Sequence, residues 1–250
     1  EGDGGPGPVP GQGGGAQQGR LRGFVTARHG KAGIMNKKSI PTIYEKNRIV
    51  DNIINALQEK SHFLFLGHQN PDEDCIGSMV AFALIVGKFS KKADVYISES
   101  MHEHFQYLLD ICRHNAISCS EAMSTIDDTV DAIVVCDTPK PSMIDLNPGI
   151  EKIFRRKDIL KIEIDHHLGA DSIYIGDEGY RLVTEATSSS ELVGFIAMKL
   201  AKKADVLKRY NINNPLSRNV ILSVLTGIVG DTNMGQYIKS KRQKRYYDIF

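Results

Sequence analysis

Four apolar runs in this chain each give way abruptly to acidic or histidine side chains, and that pattern restricts the fold more than any other feature. The runs cover residues 63–66, 132–136, 160–164 and 225–230. They lead into His68-Gln69-Asn70-Pro71-Asp72-Glu73-Asp74, into Asp137, into Asp165-His166-His167 and into Asp231. Short apolar runs of this kind read as buried strands. In an open α/β sheet the carboxyl ends of the strands lie along one crevice, so polar residues far apart in sequence can meet there.

The rest of the chain supports an alternating architecture. Helical spacing of Ile43, Val50, Ile53, Ile54 and Leu57 predicts a helix over 43–60. Further helices are expected over 76–92, 103–113, 148–156, 189–203 and 215–229, with strands over 93–98, 131–136 and 160–164 and short extended segments over 172–175 and 180–183. The fourth apolar run thus closes a stretch that also reads as helix. Alternation of this kind predicts an α/β fold, a doubly wound and mainly parallel sheet with helices on both faces. Ser188-Ser189-Ser190-Glu191 has the form of a capping box with Ser188 as N-cap; the alternative use of those serines is phosphate contact at a helix N-terminus.

Both ends of the chain differ in character from this body. Residues 1–34 are rich in Gly, Pro and Gln and carry almost no periodic apolar residues, so they are expected to be a disordered tail. Composition changes at Met35-Asn36-Lys37-Lys38, which has the form of a translation start, and residues 1–34 are read either as an upstream segment foreign to the folded protein or as a genuine flexible tail. Residues 35–238 then form the domain that carries the four motifs. Residues 239–250 are basic and lack a helix stop signal, and are expected to begin a connector helix to a further C-terminal domain.

Composition excludes some function classes. Lys+Arg 31 against Asp+Glu 30 leaves a formal charge of +1, which does not suit a protein that coats nucleic acid by bulk charge. Cys75, Cys112, Cys119 and Cys136 have no C-x-x-C spacing and read as reduced, packing thiols. No apolar run approaches the roughly 18–20 residues of a membrane helix, and no secretory signal is present, so the expectation is a cytoplasmic protein without a membrane partner.

The motifs themselves suggest a metal centre. In the first, Pro71 restricts the residue before it to extended geometry and shapes a turn from which His68, Asp72 and Asp74 can converge; Asp72 or Asp74 could instead cap the following helix. Asp137 leaves a nearly continuous apolar strand, and a carboxylate there needs a partner, which a pair of cations sharing it would supply. His166 and His167 should point to opposite sides if the strand continues, one toward metal and the other toward substrate, with Asp165 fixing an imidazole tautomer. The mixed His/carboxylate set suits Mn²⁺ better than Mg²⁺; Co²⁺ is another candidate.

With these four motifs in this order, the chain over residues 40–240 resembles the DHH family of phosphoesterases, named for the motif Asp165-His166-His167. Within it the run from His68 to Ser78 is most similar to the oligoribonuclease and phosphoadenosine-phosphatase branch. The resemblance implies two divalent metal ions, with His68 and Asp72 on one, Asp74, His166 and Asp231 on the other, and Asp137 bridging. It places His167 near the scissile phosphate, supported by Asp165. The family's last motif carries Gly directly after Asp-Thr, whereas here Asp231-Thr232 is followed by Asn233-Met234-Gly235. The implied activity is hydrolysis of short oligonucleotides or nucleotide phosphates by a metal-activated hydroxide, and a homodimer is an allowed assembly. An inorganic pyrophosphatase, a single-strand exonuclease and a non-catalytic nucleotide-binding module are the competing readings.

Overall fold

The computed structural model describes residues 35–97, 105–120, 128–238 and 241–249. The predicted tail over 1–34 lies outside the described residues. The folded body falls within one unit, Gly33–Phe250.

Its centre is a six-stranded, all-parallel sheet in the order β3-β2-β1-β4-β5-β6. In chain order the strands are β1 (His62–Leu66), β2 (Lys92–Tyr96), β3 (Ser118–Ser120), β4 (Ala132–Cys136), β5 (Leu160–Asp165) and β6 (Arg181–Val183). The order runs outward from β1 in one direction and then outward from β4 in the other. The switch point therefore lies between β1 and β4, where an open α/β sheet leaves a crevice beyond the strand ends.

Eight α-helices are described: α1 (Ile43–Glu59), α2 (Glu73–Lys88), α3 (Gln106–His114), α4 (Pro148–Phe154), α5 (Ser189–Leu200), α6 (Ala204–Arg209), α7 (Arg218–Asp231) and α8 (Lys241–Ile249). Strand side chains alternate between two cores, as a pleat requires. Phe63, Phe65, Val95, Ala132, Val134, Ile162 and Ile164 pack with α1, α2, α5 and α7, whereas Leu64, Leu66, Ile133 and Val135 pack with Ile150 and Ile153 of α4. Helices thus cover both faces, very unequally. Burial on both sides explains why residues 63–66 and 132–136 are apolar at every position.

Several predicted boundaries shift for local reasons. Helix α2 begins at Glu73, not 76, because Asp72 caps it by accepting from the Asp74 and Cys75 amides. Residues 172–175 form no strand; Ile173 makes only an isolated antiparallel bridge to Asn36. The largest correction concerns Asp231, which ends helix α7 rather than following a strand. Ser188 is the N-cap of α5 as expected, with Glu191 reaching back to Thr187. Strand β3, Ser118–Ser120, is short, polar and at the sheet edge, and no sequence pattern announced it. The four cysteines are free thiols. Among the described residues no helix is long and apolar enough to cross a membrane.

Candidate metal centre

Three strand exits and one helix terminus converge at the carboxyl edge of the sheet. His68 lies just beyond β1 and is held there by an antiparallel bridge to Ile144. Asp137 leaves β4, donating its amide to the Ile164 carbonyl at 2.9 Å, and adopts φ +50°. Left-handed backbone is unfavourable for most L-residues, and its use here turns a nearly inaccessible carboxylate into the crevice. His166 and His167 follow β5, and Asp231 arrives from the end of α7.

The result is two clusters that share one carboxylate. Potential ligand atoms of His68, Asp72 and Asp137 lie within 4.8 Å of one another, and so do those of Asp74, His166 and Asp231. Asp137 faces both: its Oδ2 is 3.6 Å from His68 Nε2, and its Oδ1 is 3.4 Å from His166 Nε2. His166 Nε2 also lies 3.4 Å from Asp231 Oδ2 and 3.9 Å from Asp74 Oδ2. Asp72 thus has two simultaneous uses: Oδ1 caps α2 and stands 3.7 Å from His68 Nε2.

The adjacent histidines do not diverge as a continuing strand would have required. Strand β5 stops at Asp165, and the two rings lie side by side with centroids 4.5 Å apart. Their surroundings still differ. His166 is enclosed by carboxylates, whereas the side chain of His167 is 39% exposed and its Nδ1 meets Asp165 Oδ1 at 2.8 Å. His167 Nδ1 is also 3.6 Å from Asp137 Oδ1, which makes Asp137, His166 and His167 a third potential ligand group.

Charge balance tests whether cations suit this site. Burial drives Asp74 well above the usual carboxylate range, and the neighbouring Asp137 charge adds to it. Asp231 is raised too, by burial and by Asp137 and Asp72, against the His166 imidazole. Burial would also raise Asp137, but the His166 and His68 imidazoles beside it overcome that and hold Asp137 far below that range. Burial lowers an imidazole, yet the carboxylates of Asp137, Asp74 and Asp231 push His166 up to about 10. Four carboxylates around two imidazoles are short of positive charge, and divalent cations would supply it. The donor set, mixed His and carboxylate, fits first-row ions.

Residues beyond the predicted set hold these carboxylates in place. The Asp74 carboxylate accepts from the Ser189 and Ser190 amides at 2.6 and 2.8 Å, so the free N–H groups of α5 are turned on this side chain. Ser189 Oγ donates to Asp137 Oδ1 at 3.0 Å. Gly77 and Gly227 let α2 and α7 approach closely: a Cβ at Gly227 would stand 2.5 Å from Asp74 Oδ1. Lys37, buried and joined to Asp165 Oδ2 at 2.5 Å, is a further participant the sequence did not flag. The serine triplet was visible as a cap; its partnership with a carboxylate 115 residues away was not.

Comparison with known proteins gives the family and the fold. Residues 62–228 match the profile of the DHH family, N-terminal domain. An uncharacterized protein of Methanocaldococcus jannaschii is 26% identical over 184 residues, which cover 73% of this chain and 49% of that protein. An exopolyphosphatase-related protein from Bacteroides fragilis has a similar structure, with a TM-score of 0.55 at 18% identity, covering 81% of this chain and 55% of that one. At that identity the likeness is one of fold. The chain spans about half the length of these two relatives.

Proposed function

The chain belongs to the DHH family, and from that premise we propose that it is a metal-dependent phosphoesterase acting on short oligonucleotides or nucleotide phosphates. The observation that carries the reading is Asp137, whose two oxygens face separate His/Asp clusters at 3.6 and 3.4 Å. His68, Asp72 and Asp137 would hold one divalent cation and Asp74, His166, Asp231 and Asp137 the other, with Mn²⁺ the expected ion. When bound, such a pair supplies a water nucleophile at neutral pH and positive charge for the phosphoryl oxygens.

The protein's own groups then have distinct tasks. Asp137 sets the separation of the two clusters, and its left-handed backbone keeps both oxygens on the crevice side. His167, tied through Nδ1–H to Asp165, leaves Nε2 facing substrate as an acceptor, which would take a proton from the attacking water; the ring protonated at both nitrogens would then hydrogen-bond a phosphoryl oxygen or pass that proton to the leaving oxygen. Asp165 is enclosed and acts through that imidazole.

The test is product analysis on a 5′-phosphorylated dinucleotide, a 3′,5′-bisphosphonucleotide and pyrophosphate, with Mn²⁺ and with excess chelator. The expected result is cleavage of one or both nucleotide substrates, abolished by the chelator. Undiminished hydrolysis in chelator would refute the metal-dependent mechanism. Turnover of pyrophosphate alone would refute the substrate class, and binding of two cations without any turnover would make the protein a binding module.

A further inference from the structure

The ammonium of Lys37 sits at the junction of the β4 and β5 exits, with its side chain wholly buried. It contacts Asp165 Oδ2 at 2.5 Å and Glu163 Oε1 at 2.8 Å, and it donates to the Thr138 carbonyl at 2.6 Å. Glu163 and Asp165 alternate with Ile162 and Ile164 along β5, so they share the opposite pleat face, and both are buried. Two enclosed carboxylates so close together require a cation, and Lys37 provides it. The second Glu163 oxygen is occupied separately, by the Ile175 and Gly176 amides at 3.0 Å each.

The main chain fixes where this lysine stands. Lys37 N donates to the Ser172 carbonyl at 2.8 Å, Asn36 bridges Ile173, and Ile173 N in turn donates to the Pro139 carbonyl at 2.8 Å. The segment ahead of α1 is thereby laid across the loops after β4 and β5. Lys37 also lies outside residues 62–228, the part of the chain that matches the family.

We propose that Lys37 is a positioning residue of the site: by occupying Asp165 Oδ2 it aims Asp165 Oδ1 at His167 Nδ1, which fixes the orientation and tautomer of that imidazole. Its bond to the Thr138 carbonyl, one residue after Asp137, ties the same ammonium to the turn that presents the shared carboxylate. Neither contact needs Lys37 to touch substrate. The proposal rests on the reading of His167 as the substrate-facing imidazole, and it locates the support of that imidazole in the segment preceding the matched domain.

The test compares Lys37→Met and Lys37→Gln in the full chain with Mg²⁺, which is diamagnetic. Imidazole ¹⁵N NMR, with the His167 signal assigned from His167→Ala, should show a single Nδ1-protonated tautomer in the parent and a tautomer mixture in both variants. Bound metal should be unchanged, while kcat on the preferred substrate falls roughly 10- to 100-fold at similar KM. In the His167→Ala background Lys37→Met should add no further loss. An unaltered His167 signal in a folded variant, or losses that multiply in the double variant, would overturn the proposal. Failure of both variants to fold would also overturn it, by assigning Lys37 to stability alone. If the protein turns over none of the substrates, the NMR readout still decides the role of Lys37.

Discussion

Gly227→Ala is the perturbation whose effect follows most directly from the packing around the site. An added Cβ would lie 2.0 Å from Ser190 Oγ, 2.6 Å from Ser190 Cβ and 2.5 Å from Asp74 Oδ1. Non-bonded atoms prefer about 3.5–4.0 Å, so each contact is short by roughly 1 Å or more. The Ser190 hydroxyl can rotate away, since its bond to the Asp74 carbonyl is already long at 3.4 Å. Ser190 Cβ cannot. Helix α7 must therefore move off α5, or the Asp74 carboxylate must leave the Ser189 and Ser190 amides. Overpacking costs about 1–3 kcal/mol, and loss of one charge-assisted hydrogen bond adds about 1.5–3 kcal/mol. The better helix propensity of Ala offsets about 1 kcal/mol, so the expected net destabilisation is about 1.5–5 kcal/mol. Urea unfolding in chelator measures it, and calorimetric titration should show divalent-ion affinity reduced roughly 10- to 100-fold. Adding Ser190→Gly should restore part of the stability but not the affinity, because the clash with Asp74 remains. Gly87→Ala is the control: nothing lies within 4 Å of its Cβ position, so the expected change is stabilisation by about 0.5–1 kcal/mol with metal binding intact. Parent-like stability and affinity in Gly227→Ala would refute the claim that close α2–α7 packing places Asp74.

Two other outcomes follow from the same geometry. His166→Ala should lose metal, because that ring alone faces Asp74, Asp137 and Asp231 together, whereas His167→Ala should retain metal and turn over poorly; equal metal loss in elemental analysis would contradict the division of roles. In chelator, stability should fall as pH rises from about 6.5 toward 10. His166 is raised on folding from the usual imidazole value to about 10, so its contribution is complete below the unfolded value and disappears as pH passes the folded one. Asp74 and Asp231, also raised, act in the same direction at lower pH, and Mg²⁺ should flatten the slope. Unfolding free energy that is constant or rising over that interval without metal would contradict the charge-deficit account.

Much of this was legible in the sequence because burial on both faces leaves residues 63–66 of β1 and all of β4 apolar, which makes the polar residues beyond them conspicuous, while β5 alternates apolar and polar residues up to Asp165. Asp231 was harder: residues 225–230 are apolar and short, and a buried helix end looks the same as a buried strand at that length. The side-by-side histidines were misjudged because extended geometry was carried past Asp165, where β5 ends. Asp72 was posed as either cap or ligand, and one oxygen serves the cap while facing His68. Lys37 carried no local signal, and the Ser188–Glu191 capping pattern marked a helix start without naming the partner of its amides. A lone lysine has no period, and a backbone donor has no letter in the sequence; only the folded sheet brings them to Asp165 and Asp74.

The account stands most directly on Asp137 as a carboxylate shared between two cations, and anomalous diffraction from crystals soaked in Mn²⁺ examines that relation without reference to activity. Two peaks about 3.5–4 Å apart are expected, one among His68, Asp72 and Asp137 and the other among Asp74, His166 and Asp231 within reach of Asp137 Oδ1. A single peak, or two peaks of which only one lies within bonding distance of Asp137, would contradict it.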